Sequence, residues 1–319
     1  MVIAVLPSLT MSLLSPGGAA RERPHVVLAA LVACIWGVAF VATRIALDAF
    51  SPALLAALRF VIAAAPVLVF ARPPIPWSAL VLGGLSLFAG QFLFQFFGIA
   101  LGMPPGLAAL VVQTQALYTI LFAALALRER PSPRQLAGTA LAFGGLVLIT
   151  ATVGADLTLT GLALTMLSAI SWGVGNVLLK RLPPVDTVSL MVWLSLIPPL
   201  PALAVALILD GPAALVASLA RAPWSGMVAA LYLGLVATVL AYAIWGMLLR
   251  RYAAAAVAPF ALLVPCVAAA GSSLVFGERF GPLRLVVLTG LAVIVLPIAL
   301  PVPRPRRVPL SRDKRAERP

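Results

Sequence analysis

Along most of the chain apolar residues continue without the three- or four-residue polar interruptions of a helix that has one wet face. The runs approach about 20 residues, the length that crosses a hydrocarbon layer of about 30 Å at 1.5 Å per residue. They place spans at 26–47, 53–71, 77–101, 105–127, 135–151, 158–179, 187–209, 224–249, 254–276 and 283–301. Between them stand short breaks rich in turn residues: Pro73-Pro74, Gly102-Met103-Pro104-Pro105, Pro131-Ser132-Pro133, Pro183-Pro184 and Asp210-Gly211-Pro212. The pattern predicts an all-α polytopic membrane protein with ten transmembrane helices.

Composition supports this and narrows it. The chain is 63% hydrophobic and 10% charged, with mean hydropathy +1.13, outside the range of soluble domains. What remains between spans cannot hold a soluble domain of about 100 residues, which argues against a separate catalytic unit. The net charge of +13 reads as orientation. With both termini inside, Arg21, Arg23, Arg72, Arg128, Arg130, Arg134, Lys180, Arg181, Arg250 and Arg251 are cytoplasmic, as are seven basic residues after Pro303. Arg221, Arg279 and Arg284 are the basic residues left for outer loops. This asymmetry predicts a multi-pass protein of a bacterial inner membrane with both termini cytoplasmic. Residues 302–319 form a basic tail suited to anionic headgroups of the lipid bilayer, not to nucleic acid. Residues 1–25 form an N-terminal extension, expected to be disordered or interfacial. The run from Met1 to Leu14 lacks the basic start of a signal peptide, and Met11 is an alternative start.

The chain repeats itself. Ile35-Trp36-Gly37-Val38 recurs as Ser171-Trp172-Gly173-Val174, an offset of 136 that also carries Arg44 onto Lys180. Arg128-Glu129-Arg130 recurs as Gly277-Glu278-Arg279 at an offset of 149, the extra length falling in a loop around 209–223. Two five-helix repeats, 26–151 and 158–301, follow. An odd number of helices per repeat inverts the second copy, an arrangement suited to alternating access around a central site. Pro66 in the second span and Pro198, Pro199 and Pro201 in the seventh fall at matched places, where both helices should kink; Pro259 and Pro265 interrupt the ninth.

Several of these segments together resemble a known family. The Trp-Gly start of each half, Leu58-Arg59-Phe60, Gly102-Met103-Pro104-Pro105-Gly106-Leu107-Ala108, Gln113-Thr114-Gln115-Ala116 and the Glu-Arg pairs resemble EamA-type members of the drug/metabolite transporter superfamily. The likeness runs from about residue 25 to 301. Within that family, Trp193-Leu194-Ser195-Leu196-Ile197-Pro198, Leu209-Asp210-Gly211 and Ala241-Tyr242-Ala243-Ile244-Trp245-Gly246 are most similar to the O-acetylserine/cysteine exporters. The resemblance implies a ten-helix inner-membrane carrier exporting small amino-acid-like metabolites. One departure is Val287, which stands nine residues after Glu278, whereas Gly138 stands nine after Glu129.

Polar residues inside spans mark candidate binding groups, because they are costly there. Arg59 lies about seven residues, or roughly 10 Å, inside its span. No Asp or Glu lies at comparable depth, so a substrate carboxylate is one counterion and snorkelling to the surface is the alternative. Gln91 and Gln95 are four apart and share a helix face. With Gln113, Gln115, Tyr118, Asn176, Thr238 and Tyr242 they either line a cavity for a small polar metabolite or bond helix to helix. Trp36 and its repeat mate Trp172 are cavity walls or packing groups. Glu129/Arg130 and Glu278/Arg279 sit at helix ends on opposite faces, as salt bridges, caps or gates. Cys34 and Cys266 read as small buried hydrophobes.

Other chemistries are disfavoured. His25 is the one histidine, so neither a Ser/His nucleophile nor a multi-histidine metal site can be built. No Walker-type phosphate loop occurs, and no cofactor is called for. The expected protein is a secondary carrier and not an enzyme. A carrier of the same fold for a drug-like cation, nucleotide-sugar or lipid headgroup, a non-transporting membrane protein, and a homodimer all remain open at this point.

Overall fold

The structure, a computed structural model, describes residues 23–129, 156–252 and 257–286, with positions 133, 140, 144–145, 147–148 and 151 between them. The N-terminal extension over 1–22, Arg130, most of the fifth span, the tenth span beyond 286 and the basic tail lie outside the described residues. Among the described residues every regular element is helical.

Helix α1 covers Arg23–Leu47. Helix α2 is Pro52–Ala64, tightening into a 3₁₀ turn over Ala65–Leu68. Helix α3 runs Trp77–Ala100 through a π-helical segment, Gly84–Gly90, and α4 runs Pro105–Leu127 with a break at Gln113 and Thr114. Helix α5 is Leu159–Lys180. Helix α6, Thr187–Leu209, is interrupted between Leu194 and Pro199, and α7 is Pro212–Ala220. Helix α8, Trp224–Arg251, has a second π-helical segment at Tyr232–Leu240. Helix α9 is Val264–Phe276, entered through a 3₁₀ turn at Ala258–Leu263.

Six helices among the described residues are long and apolar enough to cross a membrane: α1, α3, α4, α5, α6 and α8; Pro52–Leu68 and Phe260–Phe276 are apolar but shorter. The span expected over 53–71 is therefore shorter as a helix, and proline is the cause; the start of the span expected over 254–276 lies outside the described residues. Pro66 lacks the N–H for an α-helical bond, so α2 tightens into a 3₁₀ turn where the sequence predicts a kink. Pro198, Pro199 and Pro201 likewise break α6. The loop expected around 209–223 contains α7, which starts on Pro212 after Gly211 at φ 78°. Cys34, read as buried, is exposed on α1; a thiol costs little on a lipid-facing surface as apolar as the core.

The two halves share their packing. Gly37 of α1 faces α9 so closely that a β-carbon there would fall 2.5 Å from Val267 Cβ, and Gly173 of α5 faces α4 with Tyr118 Cβ at 2.8 Å. Gly84 of α3 meets Ile197 of α6 (2.6 Å), and Gly234 of α8 meets Ile62 of α2 (2.5 Å). Each contact joins one half to the other, and each recurs within one residue of the repeat offsets with the halves exchanged. The π-helical segments of α3 and α8, and the left-handed ends of α4 at Arg128 (φ 56°) and α9 at Gly277 (φ 67°), recur at nearly the same spacing. Neither half is a separate body: α1 packs on α9, α5 on α3 and α4, and α2 on α6 and α8. A shared core forms around Phe60, Phe88, Phe92 and Phe96, whose rings follow one another at 4.9–5.8 Å.

Candidate functional site

Arg59 is the deepest charge among the described residues of the helical core. Helix α2 starts at Ser51, whose hydroxyl accepts from Leu54 N–H, and Pro52 sets the first turn. Two turns later Arg59 faces inward at 3% exposure, which removes snorkelling as an option. Its Nε donates to Thr238 Oγ1 (3.1 Å), and its guanidinium lies 3.9 Å from the Phe92 ring centroid. The π-helical segment of α8 positions that acceptor, since Thr238 Oγ1 donates in turn to Leu233 O, five residues back (2.8 Å). Arg59 forms no ion pair among the described residues. A guanidinium has five N–H donors, and among the described residues one of them is used, by Thr238.

Around this centre stand Trp36 and Tyr242. The Trp36 Nε1–H donates to Ala237 O (3.0 Å), and its ring packs on Tyr242 (5.4 Å) and Trp245 (5.1 Å). Tyr242 also meets Phe88 edge-on at 5.9 Å. Tyr232, which the sequence reading passed over, joins the same wall by donating its hydroxyl to Ile35 O (2.7 Å). Gln91 and Gln95 are both buried on the stretch of α3 that carries Phe92, and Gln91 Oε1 has no hydrogen-bond partner. Thr238 and Tyr242 flank a void of about 10 Å³ with Ala63, Met191 and Ser195. That is about the smallest space that takes a water molecule, and it touches the centre through Thr238 and Tyr242.

The remaining polar candidates separate from this group. Gln113 Nε2 donates to Ala261 O (2.7 Å), tying the break in α4 to the turn before α9. Gln115 Oε1 accepts from Asn176 Nδ2 (2.8 Å), which also reaches Thr119 Oγ1 (3.1 Å). Tyr118 stacks on Phe122 beside the Gly173 contact, and half-buried Trp172 packs between the two main clusters of the core. The Gln113 and Gln115–Asn176 bonds run between helices, one of the two roles open to these residues from the sequence.

At the helix ends Glu129 and Glu278 find partners on other segments, Arg130 lying outside the described residues. Side chains one residue apart do not face each other, and partners come from other helices. Glu129 pairs with Lys180 at the end of α5 (2.6 Å), while Arg181 donates to Ala126 O (3.0 Å). Glu278 accepts from Gly106 N–H (3.1 Å) at the start of α4 and from Ser272 Oγ, while its Oε1 is buried without a partner. Burial pushes its carboxyl above the usual range. Arg279 is exposed and forms no ion pair among the described residues. Arg44 pairs with Asp48. Arg44, Pro105, Asp156, Glu278 and Arg279 line a cavity of about 990 Å³ at this end.

Sequence reasoning missed the pair Arg284–Asp156, joined at 2.5 and 2.7 Å, with Arg284 buried although expected in a loop. The guanidinium holds the Asp156 carboxyl below its ordinary range. Asp156 is the last acidic residue before α5, and its isolation between apolar spans was the available signal.

Comparison with known proteins places this architecture. The sequence pattern of the EamA-like transporter family matches twice, over residues 23–151 and 159–300. An Escherichia coli protein named "Probable amino-acid metabolite efflux pump" is 41% identical over 285 residues, 86% of this chain and 95% of the relative. Its Salmonella typhimurium namesake is 42% identical over 271 residues, covering 83% and 91%. A Streptantibioticus cattleyicolor protein named "Probable terminal-alkyne amino-acid exporter" is 28% identical over 269 residues, covering 80% and 86%. A solved crystal structure superposes with a TM-score of 0.59 at 22% identity, covering 86% of this chain and 95% of that one, which bears on fold alone. With the family pattern repeated across both halves, the chain belongs to the EamA-like transporter family.

Proposed function

We propose that this transporter exports small amino-acid-like metabolites of the O-acetylserine/cysteine class from the cytoplasm by alternating access as a secondary-active carrier. The observation that carries the substrate reading is Arg59: a buried guanidinium whose hydrogen bonding among the described residues is limited to Thr238, with no described carboxylate paired to it. Burying an unpaired charge costs several kcal/mol, and a substrate carboxylate gripped bidentately offsets that cost. Gln91, with its free buried oxygen, and Tyr242 are the neutral groups placed to meet the rest of the molecule. The names borne by the relatives support the amino-acid class. A cationic drug would set like charge against Arg59, which disfavours that alternative.

The membrane arrangement belongs to the same proposal: ten spans as two inverted five-helix repeats in the inner membrane of a bacterium, with both termini cytoplasmic. The doubled family match, the exchanged glycine contacts and the excess of basic residues in alternate loops support it. Overexpression followed by metabolite analysis of medium and cells tests the function. Cysteine-pathway intermediates should accumulate outside cells with the wild-type chain and not with Arg59→Met; unchanged medium in both rejects the substrate class. A reporter fused after Pro319 should be active in the cytoplasm, and periplasmic activity would reject the topology.

A further inference from the structure

The repeat offsets that bring Gly37 onto Gly173 also bring Arg44 onto Lys180, and those that bring Arg128 onto Gly277 bring Glu129 onto Glu278. Arg44 lies in the last turn of α1 and Lys180 in the last turn of α5, while both glutamates follow the left-handed residue that ends α4 or α9. An acid and a base therefore recur at equivalent positions in two places. These places lie at opposite ends of the bundle. Helix α4 begins at Pro105, on the 990 Å³ cavity, and ends beside Lys180; α5 begins near that cavity and ends at Lys180 after about 33 Å of helix.

The two places differ in state. Glu129 and Lys180 are joined at 2.6 Å, and Arg181 ties the same helix ends together. Arg44 and Glu278 both line the open cavity and hold other partners: Asp48 for Arg44, Gly106 N–H and Ser272 Oγ for Glu278. Each is held where a rearrangement could hand it over without stranding a charge in a dry site, since Arg44 and Asp48 are 41% and 63% exposed. Glu278 already carries one buried oxygen with no partner.

We propose that Glu129–Lys180 and Glu278–Arg44 are the two halves of one ion-pair gate, the first closed and the second open in this conformation. Closing the cavity end draws α9 toward the end of α1 and forms Glu278–Arg44, while the Glu129–Lys180 pair separates. Exposed ion pairs contribute little to folding, and that suits a gate, because either pair can break without unfolding its helix ends. The gate rests on the proposed reading of the chain as an alternating-access carrier. It adds Lys180 and Arg44 as positioning residues that touch no substrate at the centre.

The test reads conformation without substrate, so it stays informative if the metabolite assignment fails. In a chain carrying Cys34→Ala and Cys266→Ala, Gly281→Cys places a thiol on the cavity rim, where a β-carbon meets nothing within 4 Å. A membrane-impermeant maleimide then reports the open end. Lys180→Ala should lower the labelling rate by about two- to fivefold, the range in which a half-exposed ion pair shifts a two-state population. Arg44→Ala and Glu278→Gln, which keeps an acceptor for Gly106, should not lower it. The exchanged pair Arg44→Glu with Glu278→Arg should recover transport that each single reversal loses. Labelling that is unchanged in Lys180→Ala, or that falls alike in Lys180→Ala and Arg44→Ala, overturns the gate. So does an exchanged pair no better than its single reversals.

Discussion

Replacing Arg59 by Met keeps the length and apolar stem of the side chain and removes its charge. In the folded protein the guanidinium loses one hydrogen bond, Arg59 Nε to Thr238 at 3.1 Å, and stacking on Phe92 at 3.9 Å. Those losses are about 0.5–1.5 kcal/mol and about 0.5–2 kcal/mol. Removing a buried unpaired charge offsets them by several kcal/mol. The ligand-free variant should therefore melt no lower than wild type, and higher if the desolvation gain wins. Substrate binding should change the other way. A carboxylate held by two charge-assisted hydrogen bonds of about 1.5–3 kcal/mol each loses about 3–6 kcal/mol, or roughly 10²- to 10⁴-fold in affinity. Arg59→Lys keeps the charge without the planar fork and should fall between the two. Thermal unfolding in detergent and titration calorimetry with a carboxylated ligand give the two numbers. If Arg59→Met binds within about threefold of wild type, or loses stability and affinity together, Arg59 is a structural group and the argument fails.

Other consequences follow from contacts away from the centre. Gly173→Ala should lower the thermal midpoint, by about 1–3 kcal/mol in stability, because its β-carbon would meet Tyr118 Cβ at 2.8 Å and Thr119 N at 3.1 Å; normal melting would mean that α4 and α5 are not held this close. A double-mutant cycle on Gln115→Leu and Asn176→Leu should give coupling of about 0.6–1.7 kcal/mol with substrate preference unchanged, and a changed preference would place this pair in the binding site. The Asp156 carboxyl is depressed by Arg284, so its contribution to stability is complete above its ordinary value of 3.8 and is lost as pH falls through the lowered folded value. Asp156→Asn should therefore lower the midpoint at pH 6 and lose that difference toward pH 2; an equal deficit at both ends would show that charge is not the cause.

The amount of this that the sequence disclosed follows its physics. Continuous apolar runs reveal spans because lipid demands them, and the Trp36/Trp172 and Glu129/Glu278 echoes reveal the duplication. The runs could not say where Pro66 turns α2 into a 3₁₀ helix, or that Pro212 starts α7, because a hydrophobic stretch looks alike whether it is one helix or two. The depth of Arg59 in its span was legible, but whether it snorkels or stays buried was not, and the structure buries it. Its partner Thr238 was visible only as a polar residue, since the bond closes across 179 positions. Gln113, Gln115 and Asn176 have the same composition whether they line a cavity or bond helix to helix, and the bonds they make to each other or to a backbone carbonyl close across distant positions. The pairing of Glu129 with Lys180 required knowing that α4 and α5 end side by side. Single-residue chemistry was thus readable, and pairing was not.

The most direct test of the account is transport by the purified chain in proteoliposomes, comparing a carboxylated substrate with its decarboxylated analogue. Labelled cysteine or O-acetylserine should accumulate by counterflow. Cysteamine, which lacks the carboxylate, should neither accumulate nor compete, and Arg59→Met should abolish the difference by abolishing uptake of the carboxylated solute. Equal transport of cysteine and cysteamine by the wild-type protein would contradict the assignment of Arg59 as the carboxylate-binding group.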